Sequence, residues 1–283
     1  MSALAGKIAL VTGASRGIGK AIATRFAAEG AAVVLSASRL GSHGDQPGTL
    51  EKSVAEISTA GGRAAAEVAN LSEIEARADL VSRAEAHFGP LDIIVNNAAV
   101  SKMQLPSQVS ASDRSWMFDV NVNAPVDLAQ QALPGMRERG RGWILNISSS
   151  TSQQPLVPYP DSHMAANIIC PYGATKAALD RYTEGLAHEV AGDGIYVNTL
   201  APEAIVLTPG AAYVRDIAER RPDLVEPIEM MAEAALALCS GQHVGLVSYS
   251  RQLVHSLGLS VHSLDGREIL GDAFLPARLD PPA

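Results

Sequence analysis

The chain is poor in aromatic residues, in basic runs, in cysteine and in long apolar stretches. Aromatic residues make up only 4% of its 283 residues, so surfaces that stack nucleobases or sugar rings are not expected. The formal net charge is −8 and no basic run occurs, which argues against nucleic acid and anionic membranes as partners. The two cysteines, Cys170 and Cys239, lie far apart and form no CxxC pair, which indicates a reduced compartment without a disulfide framework.

Membrane-spanning and metal-binding patterns are also missing. No apolar run is long enough to cross a bilayer, and the N-terminus lacks the charged start and cleavage pattern of a signal peptide. We therefore expect a soluble, cytoplasmic protein. The 7 histidines show no metal-ligand spacing, so no metal site is predicted.

Short apolar runs alternate with helical patterns along the chain, and 47% hydrophobic residues are ample for a core. The helical patterns include a long helix at 112–139, a helix from 172 to about 190, and one capped by Ser72 with Glu75 at the capping-box position. Such alternation indicates a parallel sheet covered by helices on both faces. The predicted strands are 7–11, 32–37, 63–69, 91–95, 143–147, 195–200 and 244–249.

A glycine-rich turn follows the first predicted strand. The sequence TGASRGIG at 12–19 leads directly into a helical pattern. Glycines allow the backbone to approach a pyrophosphate closely, and the helix N-terminus offers free N–H groups. The spacing is GxxxGxG rather than GxGxxG. A loop without function is the alternative, but the strand and the helix flank this turn as a phosphate site requires.

Tyr172 and Lys176 lie four residues apart in the sequence YGATK. If this stretch opens a helix, the two side chains share one face. A free phenol has a pKa of about 10, and a nearby ammonium lowers it. The pair could then exchange a proton with a substrate oxygen near neutral pH. By itself, the spacing fits a packed ring beside a solvated lysine equally well.

Polar turn residues follow several of the predicted strands. The first strand ends at Thr12, the fourth at Asn96, the fifth at Ser148 and the sixth at Ala201. Ligands of doubly wound sheets bind beyond the carboxyl ends of the strands. We therefore expect these turns to form one site with the Tyr172 helix.

In the order of these motifs the chain resembles the short-chain dehydrogenase/reductase family in its compact form. The resemblance rests on TGASRGIG at 12–19, NNAA at 96–99, Asn121, NISS at 146–149 and YGATK at 172–176. It implies an α/β fold, a three-layer, doubly wound Rossmann-type parallel sheet of about seven strands. Residues 1–283 would form one domain, with a loose tail at 276–283. The implied activity is reversible hydride transfer between NAD(P) and an alcohol/ketone pair.

The resemblance also implies four catalytic residues. Tyr172 would be the acid/base, and Lys176 would lower its pKa and bind the nicotinamide ribose. Ser149 would hydrogen-bond the substrate oxygen, and Asn121 would hold a water in a proton relay. A shift of one residue would substitute Ser148 or Ser150 for Ser149, and Asn123 is the competitor of Asn121. Besides Tyr172 and Lys176, the implied cofactor residues are Gly13, Ser15, Arg16, Gly17, Ile18, Gly19, Arg39, Asn70, Leu71, Asn97, Ala98, Ile205 and Thr208.

The chain departs from the family pattern at three places. Ser149 and Tyr172 are farther apart than usual, because of an insertion around 155–170. Glu203 stands where the family has the glycine that allows a close approach to the nicotinamide. Asn70 stands where the family has an aspartate, so it can accept a hydrogen bond from the adenine amino group but carries no charge.

The end of the second strand bears on the choice of cofactor. Dehydrogenases that prefer NAD usually place an acid there, to bind the ribose hydroxyls, and this chain has Ala37. Arg39 and Arg16 suit a 2′-phosphate. NADP(H) is therefore favoured, and NAD(H) remains the alternative.

The insertion and two helices suggest the substrate and the assembly. The insertion is apolar and lacks lysine and arginine, which favours a lid over an apolar ketone or secondary alcohol. It could instead pack against Tyr213 or a partner subunit. The family commonly forms dimers or tetramers through helices equivalent to 112–139 and 172–190, and we expect a homo-oligomer, a tetramer in preference. Other functions open to the sequence are an NAD-preferring dehydrogenase, a lyase or epimerase, and a non-catalytic redox sensor.

Overall fold

The computed structural model describes residues 2–42, 48–153, 163–209 and 215–271. Within these ranges, all strands join one parallel sheet in the order β3-β2-β1-β4-β5-β6-β7. The predicted seven-stranded, doubly wound α/β fold is therefore confirmed. The strands are β1 (Ile8–Thr12), β2 (Ala32–Ala37), β3 (Arg63–Val68), β4 (Ile93–Asn96), β5 (Gly142–Ile147), β6 (Ile195–Ala201) and β7 (Val247–Tyr249).

Helices cover both faces of this sheet. A π-turn, Asp119–Asn123, joins α5 to α6, and 3₁₀ turns occur at Ser150–Ser152 and Pro222–Leu224. The helices of the described ranges are α1 (Gly17–Ala28), α2 (Leu50–Thr59), α3 (Ile74–Arg77), α4 (Leu80–Phe88), α5 (Ala111–Phe118), α6 (Ala124–Arg139), α7 (His163–Glu189), α8 (Arg215–Arg220), α9 (Ile228–Ser240) and α10 (Ser250–Ser256).

Two apolar cores lie on opposite faces of the sheet. Successive strand residues point to opposite faces, so Val11 packs with Phe26 of α1 in one core. Its neighbour Leu10 packs with Leu128 of α6 in the other. Because both faces are buried, the central strands are apolar in continuous runs rather than in alternation.

The direction of winding reverses beside β1. This strand pairs with β2 on one side and with β4 on the other. At such a reversal the connections leave toward opposite faces, and a crevice opens beyond the carboxyl ends of the strands. The crevice begins where β1 ends, at Thr12.

The helix that carries Tyr172 begins earlier than the sequence predicts. The sequence predicts a helix that opens at Tyr172 and runs to about Val190. In the structure α7 begins at His163, and Pro171 lies inside it. The insertion predicted at 155–170 therefore contributes the first turns of α7, while its residues 155–162 lie outside the described ranges, as do Tyr213 and the tail 276–283.

The predicted capping box is wrong. The N-cap of α3 is Glu73, without a side-chain hydrogen bond. The backbone N–H and the hydroxyl of Ser72 both donate to Oδ1 of Asn70, at 3.3 and 2.9 Å. The turn formed by Asn70 competes for Ser72, which is therefore not available to cap the helix.

Membrane-spanning helices and metal-binding clusters are both absent from the described ranges. No helix there is long and apolar enough to cross a bilayer. The same ranges hold no group of three or more histidine, cysteine, aspartate or glutamate side chains placed to bind a metal ion.

Candidate active site and cofactor cleft

A cleft of about 450 Å³ opens beyond the carboxyl ends of β1, β2 and β4. Most of the predicted cofactor residues line it, namely Gly13, Ser15, Arg16, Gly17, Ile18, Asn70, Leu71, Asn97, Ala98 and Thr208. The rest of its wall, which the sequence did not assign to the cofactor, consists of Ser36, Ala37, Ser38, Ala69, Ala99, Val100, Trp116, Val120 and Pro209. Trp116 and Val120 belong to α5 and the π-turn, so only the tertiary fold brings them here.

The glycine turn is held in place by the turn after β4. Nδ2 of Asn97 donates to the carbonyl oxygens of Thr12 and Gly13, at 2.9 and 3.2 Å. Oγ1 of Thr12 accepts from the backbone N–H of Asn97 and of Ala98, at 3.0 and 3.1 Å. These bonds fix the glycine turn against the turn after β4.

Gly13 has to be a glycine for two reasons. Its φ of +65° lies in the region that favours glycine. A Cβ at this position would also lie 2.8 Å from Cα of Ala98, which is closer than atoms can pack. The close approach of the two turns therefore depends on this residue.

Arg16 occupies the N-cap position of α1. Its Nη1 is buried without a hydrogen-bond partner in the described structure, and burial lowers the pKa of its guanidinium. Among the described residues that line the cleft, Arg16 is the only one with a charged side chain. A helix N-terminus with an unpaired guanidinium suits a phosphate group, so the residues present fit NADP(H).

Three predicted cofactor residues are placed differently. Arg39 is exposed and does not line the cleft. The backbone of Ile205 is already engaged, since its N–H donates to Leu224 and its carbonyl accepts from Glu226. Gly19 is buried behind the turn, where a Cβ would lie 2.6 Å from the carbonyl oxygen of Gly13.

Asn70 lines the cleft, but its side chain is engaged. Its Oδ1 accepts from Ser72 and its Nδ2 donates to Oε1 of Glu73 at 2.7 Å. The acceptor predicted for the adenine amino group is therefore shared with the protein.

Tyr172 and Lys176 meet at the end of β5, as the four-residue spacing predicts. Lys176 is only 2% exposed, and its Nζ donates to the carbonyl oxygen of Ile147 at 2.7 Å. The same Nζ lies 5.7 Å from the centre of the Tyr172 ring. Burial lowers the pKa of Lys176 to about 8, against an opposing contribution from Asp180.

A close contact between the Ser150–Ser152 turn and α7 joins the segment of Ser149 to the helix that carries this pair. A Cβ at Gly173 would lie 2.5 Å from the carbonyl oxygen of Thr151, so the contact requires a glycine. Ser149 caps the 3₁₀ turn, and its Oγ accepts from the N–H and the hydroxyl of Thr151, at 3.3 and 3.0 Å. Because Oγ acts as an acceptor in both bonds, its own hydrogen remains for a substrate oxygen.

Asn121 is buried in the π-turn and ties three elements together. Its Oδ1 accepts from the N–H of Val100 at 2.8 Å, and its Nδ2 donates to the carbonyl of Val100 and to Oγ1 of Thr175, both at 2.9 Å. Thr175 in turn donates to the carbonyl of Tyr172 at 2.7 Å. The side-chain amide hydrogens of Asn121 are used by the protein, and the water proposed for it stays a prediction. Its competitor Asn123 is exposed.

Asp180 is the residue of this region that the sequence reading missed. It lies four residues after Lys176 on α7 and is 7% exposed. The signal was present, because Tyr172, Lys176 and Asp180 follow one another at intervals of four, which place side chains on neighbouring parts of one helix face.

Comparisons with known proteins agree with this geometry. The family model described as short chain dehydrogenase matches residues 7–218. A short chain dehydrogenase of Pseudocercospora fijiensis is 35% identical over 210 residues, which cover 74% of this chain and 62% of that protein. This chain thus matches less than two thirds of that relative's length.

Two solved structures share the fold over most of both chains. The 3-oxoacyl (acyl-carrier-protein) reductase from Agrobacterium tumefaciens C58, with NADP bound, is 33% identical with a TM-score of 0.73, over 87% of this chain and 93% of that one. L-Sorbose reductase from Gluconobacter frateurii, complexed with NADPH and L-sorbose, is 30% identical with a TM-score of 0.74, over 88% and 97%.

Proposed function

The chain belongs to the short-chain dehydrogenase/reductase family, and we propose that it transfers hydride reversibly between NADP(H) and a ketone/secondary alcohol pair, with Tyr172 as the acid/base. One observation carries the proposal. The buried ammonium of Lys176 lies 5.7 Å from the centre of the Tyr172 ring, at the end of β5. A phenol and an ammonium in this arrangement can exchange a proton with a substrate oxygen.

Each residue of the pair has a defined task in this proposal. When bound, the cofactor supplies or accepts the hydride. Tyr172 gives a proton to the carbonyl oxygen during reduction and takes one from the alcohol during oxidation. The ammonium of Lys176 favours the phenolate and binds the nicotinamide ribose, and Ser149 donates a hydrogen bond to the substrate oxygen. Asn121 and Thr175 hold the main chain of Tyr172 in position.

The preference for NADP(H) is supported by Arg16 and by the end of β2. The unpaired Nη1 of Arg16 is a donor for a 2′-phosphate. The end of β2 presents Ser36, Ala37 and Ser38 to the cleft, so no carboxylate there competes with a phosphate. Relatives of known structure hold NADP or NADPH. Arg39 remains a candidate only if its exposed side chain turns toward the cofactor.

We propose an apolar ketone or secondary alcohol as the substrate. The support is the apolar composition of the 155–170 insertion and the half-buried Ile168 and Ile169 in the turn of α7 before Tyr172. The sorbose reductase among the relatives indicates ketoses as the alternative. A panel of cyclic and aromatic ketones, tested beside ketoses of similar size, separates the two.

We also propose a homo-oligomer, a tetramer in preference, in the cytoplasm. Ala174 and Ala177 of α7 are exposed, and small residues allow two helices to approach closely. Light scattering at micromolar concentration tests the assembly, and a monomer mass contradicts it.

The proposed function is tested by following nicotinamide absorbance over the substrate panel with the wild-type protein and with Tyr172→Phe. We expect Tyr172→Phe to abolish turnover and to leave NADPH binding intact, because only the phenolic hydroxyl is removed. Tyr182→Phe is the matched control on the same helix and should turn over like the wild type. Near-normal turnover by Tyr172→Phe would show that another group moves the proton.

A further inference from the structure

The carboxylate of Asp180 is buried in an unusual state. The residue is 7% exposed, and both oxygens lack a hydrogen-bond partner among the described residues. The hydroxyls of Ser148 and Ser152 face it and favour its charged form, but neither completes a well-formed hydrogen bond. Burial raises the pKa of Asp180, and these hydroxyls and Lys176 oppose that rise.

Among the described residues, few other charged and titratable groups interact with Asp180. Glu184 lies one turn later on α7, and its negative charge raises the pKa of Asp180. Burial raises the pKa of Tyr249, at the end of β7, and the charges of Asp180 and Glu203 raise it further. Lys176 is the cation that faces the carboxylate, and it is itself 2% exposed.

A buried carboxylate without hydrogen bonds is costly unless a charge compensates it. A buried ammonium has the same requirement, and Lys176 makes one hydrogen bond, to Ile147, with three donors. The two groups lie one helical turn apart on α7, so each supplies the charge that the other lacks.

We propose that Asp180 is a positioning residue for Lys176, whose ammonium it keeps charged and directed toward Tyr172 and the cofactor. The inference rests on the proposed function, since it gives Asp180 its task through Lys176. Asp180 itself touches neither substrate nor cofactor in this scheme. Its effect is electrostatic, and Ser148 and Ser152 stabilise its charge from the segment that carries Ser149.

The first test measures Lys176 directly and needs no turnover. The sequence has five lysines, Lys7, Lys20, Lys52, Lys102 and Lys176. Protein labelled with ¹³C at lysine Cε therefore gives few NMR signals, and that of Lys176 is identified by its loss in Lys176→Met. We expect Asp180→Asn to lower the pKa of Lys176 by about one pH unit, because an opposite charge within one turn is removed.

Glu184→Gln is the matched control, because it removes a carboxylate from the same helix one turn farther away. It should leave the titration of Lys176 unchanged. Asp180→Glu keeps the charge and should stay close to the wild type. If Asp180→Asn fails to fold by circular dichroism, Asp180→Ser is the second neutral variant. A folded neutral variant in which Lys176 titrates as in the wild type overturns the proposal.

The second test follows kcat/KM against pH with NADPH. Lys176 is charged below about pH 8 and loses its charge above it, so the alkaline limb should begin near that pH in the wild type. In Asp180→Asn the limb should move about one unit lower, with no such shift in Glu184→Gln. If the wild type shows no turnover, the proposed function fails while the NMR result still decides the role of Asp180. Superimposable profiles of wild type and Asp180→Asn contradict that role.

Discussion

The two sides of α7 are held by unlike polar contacts. On the side of the π-turn, Asn121 makes three hydrogen bonds, to both backbone groups of Val100 and to Thr175. On the side of the Ser150–Ser152 turn, Asp180 is buried with no formed hydrogen bond in the described structure. A satisfied neutral network fixes positions, whereas a buried charge acts through its field in a medium of low dielectric. Asn121 thus holds Tyr172 in position, whereas Asp180 is proposed to keep Lys176 charged.

Lys176→Met removes the ammonium on which the Asp180 side acts. We expect turnover with NADPH to fall by about a hundredfold or more, because the general acid/base loses its charged partner. NADPH affinity should fall too, since Lys176 is proposed to bind the nicotinamide ribose. Stopped-flow turnover and fluorescence titration measure the two effects. A variant that loses only affinity would assign Lys176 to binding alone.

Asn121→Leu breaks the neutral side. The N–H and carbonyl of Val100 lose their side-chain partner, and Thr175 loses one donor but keeps its bond to the carbonyl of Tyr172. Each buried polar group that is left unpaired costs about 1–3 kcal/mol. We therefore expect the free energy of unfolding in urea to drop by about 3 kcal/mol. Asn123→Ala, two residues away on an exposed position, should change it little. An equal loss of unfolding free energy in both variants would contradict the stabilising role of the Asn121 hydrogen bonds.

Arg16→Ala acts in the cofactor cleft, at the N-terminus of α1. A charge-assisted hydrogen bond to the 2′-phosphate is lost, so the Kd for NADPH should rise about tenfold or more. The Kd for NADH, which has no 2′-phosphate, should stay near its wild-type value, as should the pH of the alkaline limb. Isothermal titration with both cofactors measures the contrast. A parallel rise for both cofactors would remove the support for NADP(H).

Glu226 shares features of both Asn121 and Asp180, because it is a buried carboxyl group that does form hydrogen bonds. Its oxygens accept from Ser250 at 2.6 Å and from the N–H of Ala204 at 3.2 Å, yet burial raises its pKa to about 7. A raised carboxyl pKa stabilises the fold at low pH, and this contribution is lost as the pH rises through about 7.

The smallest expected effect follows from that sign. Between pH 5 and 8 the Tm of the wild type should fall by about a few degrees more than that of Glu226→Gln, which cannot titrate. Differential scanning fluorimetry at several pH values measures the difference, and Glu75→Gln on the exposed α3 is the control. Parallel Tm curves for wild type and Glu226→Gln would show that the carboxyl does not titrate in this range.

The sequence predicted those elements that are encoded by a short stretch of consecutive residues. The second strand was predicted with the bounds it has, 32–37, because it is an apolar run between turn residues. The glycine turn was predicted from its spacing, and most of its residues line the cleft. The start of α7 was not predicted, because the motif at 172–176 marks only the part of the helix that carries the Tyr172/Lys176 pair.

Other features depend on contacts between distant segments, which the sequence alone does not show. The pairing of Ile205 with Val225 engages a backbone that the family pattern assigns to the cofactor. Trp116 reaches the cleft only because α5 packs beside the turn after β4. Asp180 had a signal in its spacing, but its burial without hydrogen bonds is visible only in the fold.

The π-turn at Asp119–Asn123 gives the long helix one residue more than an α-helix would use. Deleting a single residue there could restore regular α-helix, and each residue of an α-helix turns by about 100° and rises about 1.5 Å. The turns before the deletion, including Trp116, would then rotate away from the cleft, whereas those after it would stay packed on the sheet. The loss of one codon in frame at this site would therefore move Trp116 out of the cleft wall and leave the packing of α6 unchanged.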